Sequence, residues 1–116
     1  MVPKENRLRK REDFDRIWKQ GRSRHGKLLG LRFAPNQDKV GRCGIMVGLK
    51  VSKRATRRNH LRRRIREALR REFLPILGAF DVIIMAHPQS AGASYVDIKK
   101  ELAFLFGKAG LFKKSS

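Results

Sequence analysis

Residues 53–71 read Lys-Arg-Ala-Thr-Arg-Arg-Asn-His-Leu-Arg-Arg-Arg-Ile-Arg-Glu-Ala-Leu-Arg-Arg, and no other stretch restricts the possible folds so tightly. Leu61, Ile65, Ala68, Leu69 and Phe73 recur at helical spacing, which predicts a helix over about 55–74, closed by Pro75. At about 100° per residue, Asn59, Arg63, Arg66 and Arg70 fall within a band roughly 60° wide, nearly opposite Leu61, Ile65 and Ala68. One face must therefore be buried while the other must meet water or a polyanion. A solvated face usually interleaves acids, but Glu67 is the only acid here. Arginine dominates the stripe, which suits bidentate contacts to phosphate and stacking on bases. A membrane-surface helix ranks lower, because the narrow apolar side is needed to cover the rest of the fold. A helix-turn-helix reader of DNA also ranks lower, because strands surround the helix and no paired helix accompanies it.

The whole chain shares the bias. Its 116 residues suffice for one domain with one modest core, so 1–116 is read as a single domain. Lysine and arginine number 29 against 10 acids, a net charge of +19, and a polyanionic partner relieves that self-repulsion. Cys43 stands alone, which excludes an internal disulfide and reads as a small apolar strand residue. Residues 1–9 carry charge with no apolar run behind them, a basic arm rather than a secretory signal. The most apolar stretch, 80–86, contains Asp81 and is too short to span a bilayer. A cytoplasmic protein is expected.

Around the basic helix the pattern predicts helix, strands, basic helix, strand and helix, an α+β layer pair in which helices cover a sheet. The first helix runs from about 10 to 20 with Phe14, Ile17 and Trp18 on one face, and stops at Gly21. Residues 21–35 read as extended, with Leu29, Leu31 and Phe33 on one face. A polar turn then runs to Gly41. The next strand sets Cys43, Ile45, Val47 and Leu49 against Gly44, Met46 and Gly48, and its glycine-bearing face allows close approach. Residues 80–86 read as an interior strand. Ser94 and Asp97 make a capping-box signal for a last helix presenting Ile98, Leu102, Leu105 and Phe106, which ends near Gly110.

Metal-dependent nucleases need clustered carboxylates, and the acids here are scattered. His25, His60 and His87 share no spacing that marks an acid and base pair, and a single cysteine excludes a zinc pattern. No catalytic residue is expected in the chain. Phe14 and Trp18 admit two readings, core residues or a platform on which bases of a single strand stack. Arg7, Arg9, Lys10 and Arg11 read as an unstructured arm that supplies general attraction.

The run Arg58-Asn59-His60-Leu61-Arg62-Arg63-Arg64-Ile65-Arg66-Glu67 resembles the signature of the bacterial ribonuclease P protein family: Arg-Asn-Arg, one residue, Lys-Arg, two residues, Arg-Glu. The resemblance extends over nearly the whole chain, through Asn6-Arg7-Leu8, Glu12-Asp13-Phe14, the basic loop 50–55, Asp81-Val82-Ile83-Ile84 and Ser94-Tyr95. His60 stands where the family usually has arginine, Leu49 where a lysine pair commonly begins, and Arg32 where an aromatic is frequent. The resemblance implies a four-stranded sheet in αβββαβα order, with an extra short strand near 21–25 and a left-handed βαβ crossover through the basic helix, against the usual hand.

It further implies the protein subunit of a ribonucleoprotein endonuclease that removes the 5' leader from precursor tRNA. Lys53, Arg54 and Arg58, with Asn59, His60, Arg62, Arg63, Arg66 and Arg70, would dock on the catalytic ribonuclease P RNA. Phe14, Trp18, Arg32, Met46 and Lys50 would hold the single-stranded leader. The RNA would carry the chemistry and most of the magnesium, and the protein alone would be inactive. The protein would be a monomer outside the holoenzyme, with neither DNA nor membrane as partner. From another class, a structural RNA-binding protein of ribosomal or assembly-factor type shares the sheet-and-helix arrangement and stands as the alternative.

Overall fold

A computed structural model describes residues 3–37 and 40–113. Three helices and four strands occur in αβββαβα order: α1 (Arg11–Gln20), β1 (Arg22–His25), β2 (Leu29–Pro35), β3 (Arg42–Met46), α2 (Ala55–Ala68), β4 (Phe80–Ala86) and α3 (Tyr95–Ala109). The sheet order is β1-β2-β4-β3. β1 with β2 and β2 with β4 are antiparallel, whereas β3 and β4 run parallel. Parallel neighbours need a crossover, and α2 provides it.

The alternation along the strands sorts the two faces. Leu29, Leu31 and Phe33 of β2, Cys43 of β3, and Val82 and Ile84 of β4 join Leu61, Ile65 and Ala68 of α2 and Ile98, Leu102 and Phe106 of α3 in one core. The apolar side of the basic helix is thus consumed by the sheet. The opposite face carries a smaller cluster of Leu8, Ile17, Ala34 and Ile83, with Phe14 and Met85 packed beside it. α1 covers only one end of that face. The α3 cap forms as its sequence indicates, with the Ser94 hydroxyl accepting from Asp97 N–H and the Asp97 carboxylate accepting from Ser94 N–H. Gly110 closes the helix at φ 71°, a left-handed conformation that suits glycine.

Several expectations are corrected. The extended stretch 21–35 is two strands of a hairpin, as the resemblance implies and the alternation alone does not reveal. The strand expected through Leu49 ends at Met46, and Leu49 is 68% exposed instead of facing the core with Cys43 and Ile45. The helix expected to continue to 74 widens into a π turn over Leu69–Phe73, followed by a 3-10 turn over Leu74–Ile76 that contains Pro75. Residues 3–9 of the basic arm are built into the fold. Lys4–Asn6 form a 3-10 turn, Asn6 Nδ2 donates to the Gly41 carbonyl at 2.7 Å, Arg7 bridges Cys43 in parallel, and Leu8 is buried. Residues 1 and 2 of that arm, and residues 38 and 39 of the expected polar turn, lie outside the described residues.

Candidate nucleic-acid interface

Two surfaces carry the residues singled out by sequence. The first is the outer side of α2 with the loop before it. Lys53, Arg54, Asn59, His60 and Arg63 are exposed. Arg58 Nη1 donates to the Ser52 carbonyl at 2.9 Å, folding the loop onto the helix start. Arg62 Nη1 donates to Asn59 Oδ1 at 2.6 Å, which fixes the amide beside the stripe. Arg70 differs from its neighbours, because its guanidinium pairs with Glu67 at 2.9 Å while Arg71 reaches the same carboxylate at 3.2 Å. The Arg70 hydrogen bond holds Glu67 below the usual carboxylate range. Arg70 therefore presents its charge partly compensated. Arg64 serves the fold, donating to the Ala93 carbonyl at 3.1 Å and tying α2 to the loop before α3.

Beside this stripe the ordered arm adds residues that sequence reasoning left as general attraction. Arg7 and Arg9 face Arg62 and Arg66 across a cavity of about 410 Å³ floored by Cys43, Gly44 and Ile45. Four guanidinium groups around one concavity make an anion-binding surface continuous with α2. The available signal was Leu8, a lone apolar residue between two arginines, which is the alternation of an edge strand. Cys43 on the cavity floor is inert. Burial pushes its thiol up to about 12, so it stays protonated and unreactive at neutral pH.

The second surface is the part of the sheet that α1 leaves open. Ile17 is fully buried, whereas Trp18 is 42% exposed and Met46 is 45% exposed. Phe14 lies between these extremes and closes over β3, where a Cβ on Gly44 would stand 3.0 Å from the Phe14 ring. Only glycine lets the ring sit that close to the strand. Past the helix the floor is one row of paired residues, His25, Gly30, Met85 and Met46 across β1, β2, β4 and β3. Lys50 is exposed in the loop beyond β3. The result is a stretch of sheet beside α1 with Trp18 and Met46 exposed along it, while Gly30 is buried beneath the rings of His25 and His87. Gly48, on the strand face expected to allow close approach, is exposed, and a Cβ added there would meet nothing within 4 Å.

Arg32 has a different position from the one expected. Its guanidinium donates to the Trp18 carbonyl at 2.6 Å, the Ile17 carbonyl at 3.2 Å and the Ser23 hydroxyl at 2.8 Å, and lies 5.9 Å from the centre of the Trp18 ring. These bonds satisfy carbonyls at the C-terminus of α1, where a cation is also favoured by the helix dipole. Arg32 thus sets the angle of the aromatic wall before it meets any ligand. α1 is also held through Asp81, a fully buried carboxylate on β4. Arg42 binds it through Nε and Nη2, both at 2.9 Å, Asn36 donates at 2.9 Å, and Arg16 of α1 donates as well. Asp13 adds a second carboxylate for Arg42 at 3.4 Å.

Among the described residues no group of three or more His, Cys, Asp or Glu is placed to hold a metal ion, and no helix is long and apolar enough to cross a membrane. Comparison with known proteins agrees with the architecture. The sequence model of the Ribonuclease P family matches residues 2–110. The ribonuclease P protein component of Synechocystis sp. is 40% identical over 111 residues, 95% of this chain and 90% of that protein. The RNase P protein structure from Staphylococcus aureus superposes with a TM-score of 0.83 at 28% identity, covering 93% of this chain and 98% of that one. The Thermotoga maritima RNase P protein gives 0.79 at 31% identity, covering 88% and 96%.

Proposed function

Because this chain belongs to the ribonuclease P protein component family, we propose that its two surfaces divide the work of the holoenzyme, α2 docking on ribonuclease P RNA and the open sheet face holding the leader of precursor tRNA. Family membership makes it a tRNA-processing, RNA-binding component of a ribonucleoprotein, in preference to a ribosomal or assembly-factor protein. The single observation that carries the leader assignment is the divergent burial of two adjacent residues, Ile17 inside and Trp18 on the groove wall. A ring left half in water beside an open sheet face suits a stacked base of a single strand. Phe14 and Met46 continue the contact, Lys50 neutralises a passing phosphate, and Arg32 holds the wall.

On the other surface Lys53, Arg54, Arg58, Asn59, His60, Arg62, Arg63 and Arg66 meet the phosphates of the partner RNA, with Arg70 contributing less. The chemistry would be carried by the RNA, and magnesium held mainly by that RNA would supply an activated water for phosphodiester hydrolysis. The disposition of the acids supports this: Asp13 and Asp81 are taken by arginines, Glu67 by Arg70 and Arg71, Glu72 by Lys99, and Glu101 by the amides of Leu28 and Leu29. The protein screens phosphate repulsion and favours precursor over product, acting in the cytoplasm as a monomer until it joins the RNA, with no DNA partner. Cleavage of precursor tRNA by a bacterial ribonuclease P RNA at low magnesium tests the reading. Added protein should restore cleavage; no restoration, in RNA competent at high magnesium, counts against it.

A further inference from the structure

His25 and His87 are 62 positions apart in sequence, yet the fold brings them together at the far end of the open sheet face. His25 Nδ1 and His87 Nε2 are 3.3 Å apart, with ring centroids at 5.3 Å and planes inclined by 26°. So wide a centroid separation with so short a nitrogen contact sets the rings edge to edge. The contact is a hydrogen bond between nitrogens, one donating and the other accepting. The pair lies over Gly30, where a Cβ would stand 2.6 Å from His25 Nδ1 and 3.1 Å from His87 Cε1. Gly30 pairs with Met85, and Met85 with Met46, so the imidazoles share a row with the groove floor.

We propose that His25 and His87 form a proton-dependent phosphate site that extends the groove for single-stranded RNA past the methionine floor. In the neutral pair one ring turns its N–H inward and keeps an outward lone pair, so only the other ring offers an outward donor. One added proton goes to that outward lone pair. The inward N–H···N bond survives, now charge-assisted, and both rings present outward N–H donors under a single positive charge. A phosphodiester oxygen accepts from such a pair. A second proton would set two N–H groups against each other and open the pair.

Of the charged residues on the elements packed here, Arg24 is in register with Leu31 and so lies on the other face of the sheet, Lys27 lies beside Glu101 on the α3 side, and Arg32 shares the face of the pair but donates to the Ile17 and Trp18 carbonyls and the Ser23 hydroxyl. The Glu101 carboxylate is engaged by the backbone amides of Leu28, at 2.6 Å, and of Leu29. Glu101 is thus turned to the hairpin amides on the other side of the sheet and does not compete for the imidazole N–H groups. Direct contact between the two nitrogens also leaves no room for a phosphorus between them. The pair is a binding site and not an acid and base couple astride a scissile bond.

The proposal rests on the reading of the open face as the leader groove, so the test separates the two. Holoenzyme affinity is measured for precursors with a short leader that ends at the aromatic wall and a long one that reaches the hairpin. Each is measured at about pH 8 and about pH 6, spanning the range in which imidazole takes up a proton. The advantage of the long leader should grow by about two- to fivefold on acidification, the scale of one exposed ionic contact. His25→Gln with His87→Gln should remove that growth, and His25→Gln alone, on an edge strand, should remove most of it. A long-leader advantage that is the same at both pH values, or that grows equally in the variants, overturns the site. If leader length and Trp18→Leu are without effect at either pH, the groove reading itself fails.

Discussion

Ile17 and Trp18 follow one another in α1, and their burial differs completely. Helical spacing places both on the face that includes Phe14, and the pattern cannot say which of the three reaches the core and which stops at its rim. That depends on where α1 crosses the sheet, which is fixed by Arg32 from 14 and 15 residues away. Nothing local marks an arginine in a strand as a clamp for helix carbonyls, so the sequence suggests a phosphate contact instead. The prediction at this scale is that Trp18→Leu lowers affinity for precursor tRNA with a leader of several nucleotides by about 1 to 3 kcal/mol, the value of one stacked base. Affinity for mature tRNA should barely change. Equilibrium binding of both RNAs to the reconstituted holoenzyme checks this. Equal loss for both, in a variant that remains folded, would return Trp18 to a structural role.

The elements differ in how fully the sequence announces them. α2 is legible because its two faces are chemically opposite, and β4 because an apolar run over 82–86 with a buried centre has few other uses. The β1–β2 hairpin is not, since β1 is short, largely polar and exposed, and forms only because β2 offers an edge. The arm escapes notice for a related reason: buried Leu8, a parallel bridge to Cys43 and the Asn6 hydrogen bond to the Gly41 carbonyl hold it, and all three are tertiary. Two predictions belong to elements. Replacing Arg63 and Arg66 together by alanine should leave the circular dichroism spectrum unchanged, because both lie opposite Leu61 and Ile65. It should weaken assembly with the RNA and reduce the slope of log affinity against log salt by about one for each phosphate that is no longer neutralised. An unchanged slope would remove those arginines from the interface. Asp81→Asn should destabilise the fold by about 3 to 5 kcal/mol, because Arg16 and Arg42 would keep their charges around a neutral amide. A lower denaturant midpoint measures that, and α1 should lose its hold on the sheet first. Wild-type stability in this variant would mean that the buried carboxylate does not anchor the helix.

For the whole molecule, the net charge is +19 and the two proposed RNA surfaces lie on opposite sides of one sheet, an arrangement that yields the last prediction. The sheet is covered by α2 and α3 on one side, so the arginine stripe faces away from the groove on the other. One protein can then touch a large structured RNA and a single strand at the same time. On the proposed reading each surface would neutralise phosphates, as magnesium ions would, so protein and metal should substitute for one another in part. With the protein present, cleavage should reach half its maximal rate at a lower magnesium concentration than with RNA alone. The difference should shrink as monovalent salt rises, because counterion release is the force behind it. Mature tRNA should compete less effectively against precursor when protein is bound, because only the precursor fills the groove. RNA-free protein should cut nothing at any magnesium concentration, as the described residues bring no three carboxylates together around a metal. The decisive comparison is single-turnover cleavage over a magnesium series at two salt concentrations, with and without protein. A magnesium midpoint unmoved by the protein would mean that its charge does not serve metal-dependent cleavage. Cleavage by the protein alone, abolished by changing one acidic residue, would place the chemistry in the chain instead of the RNA.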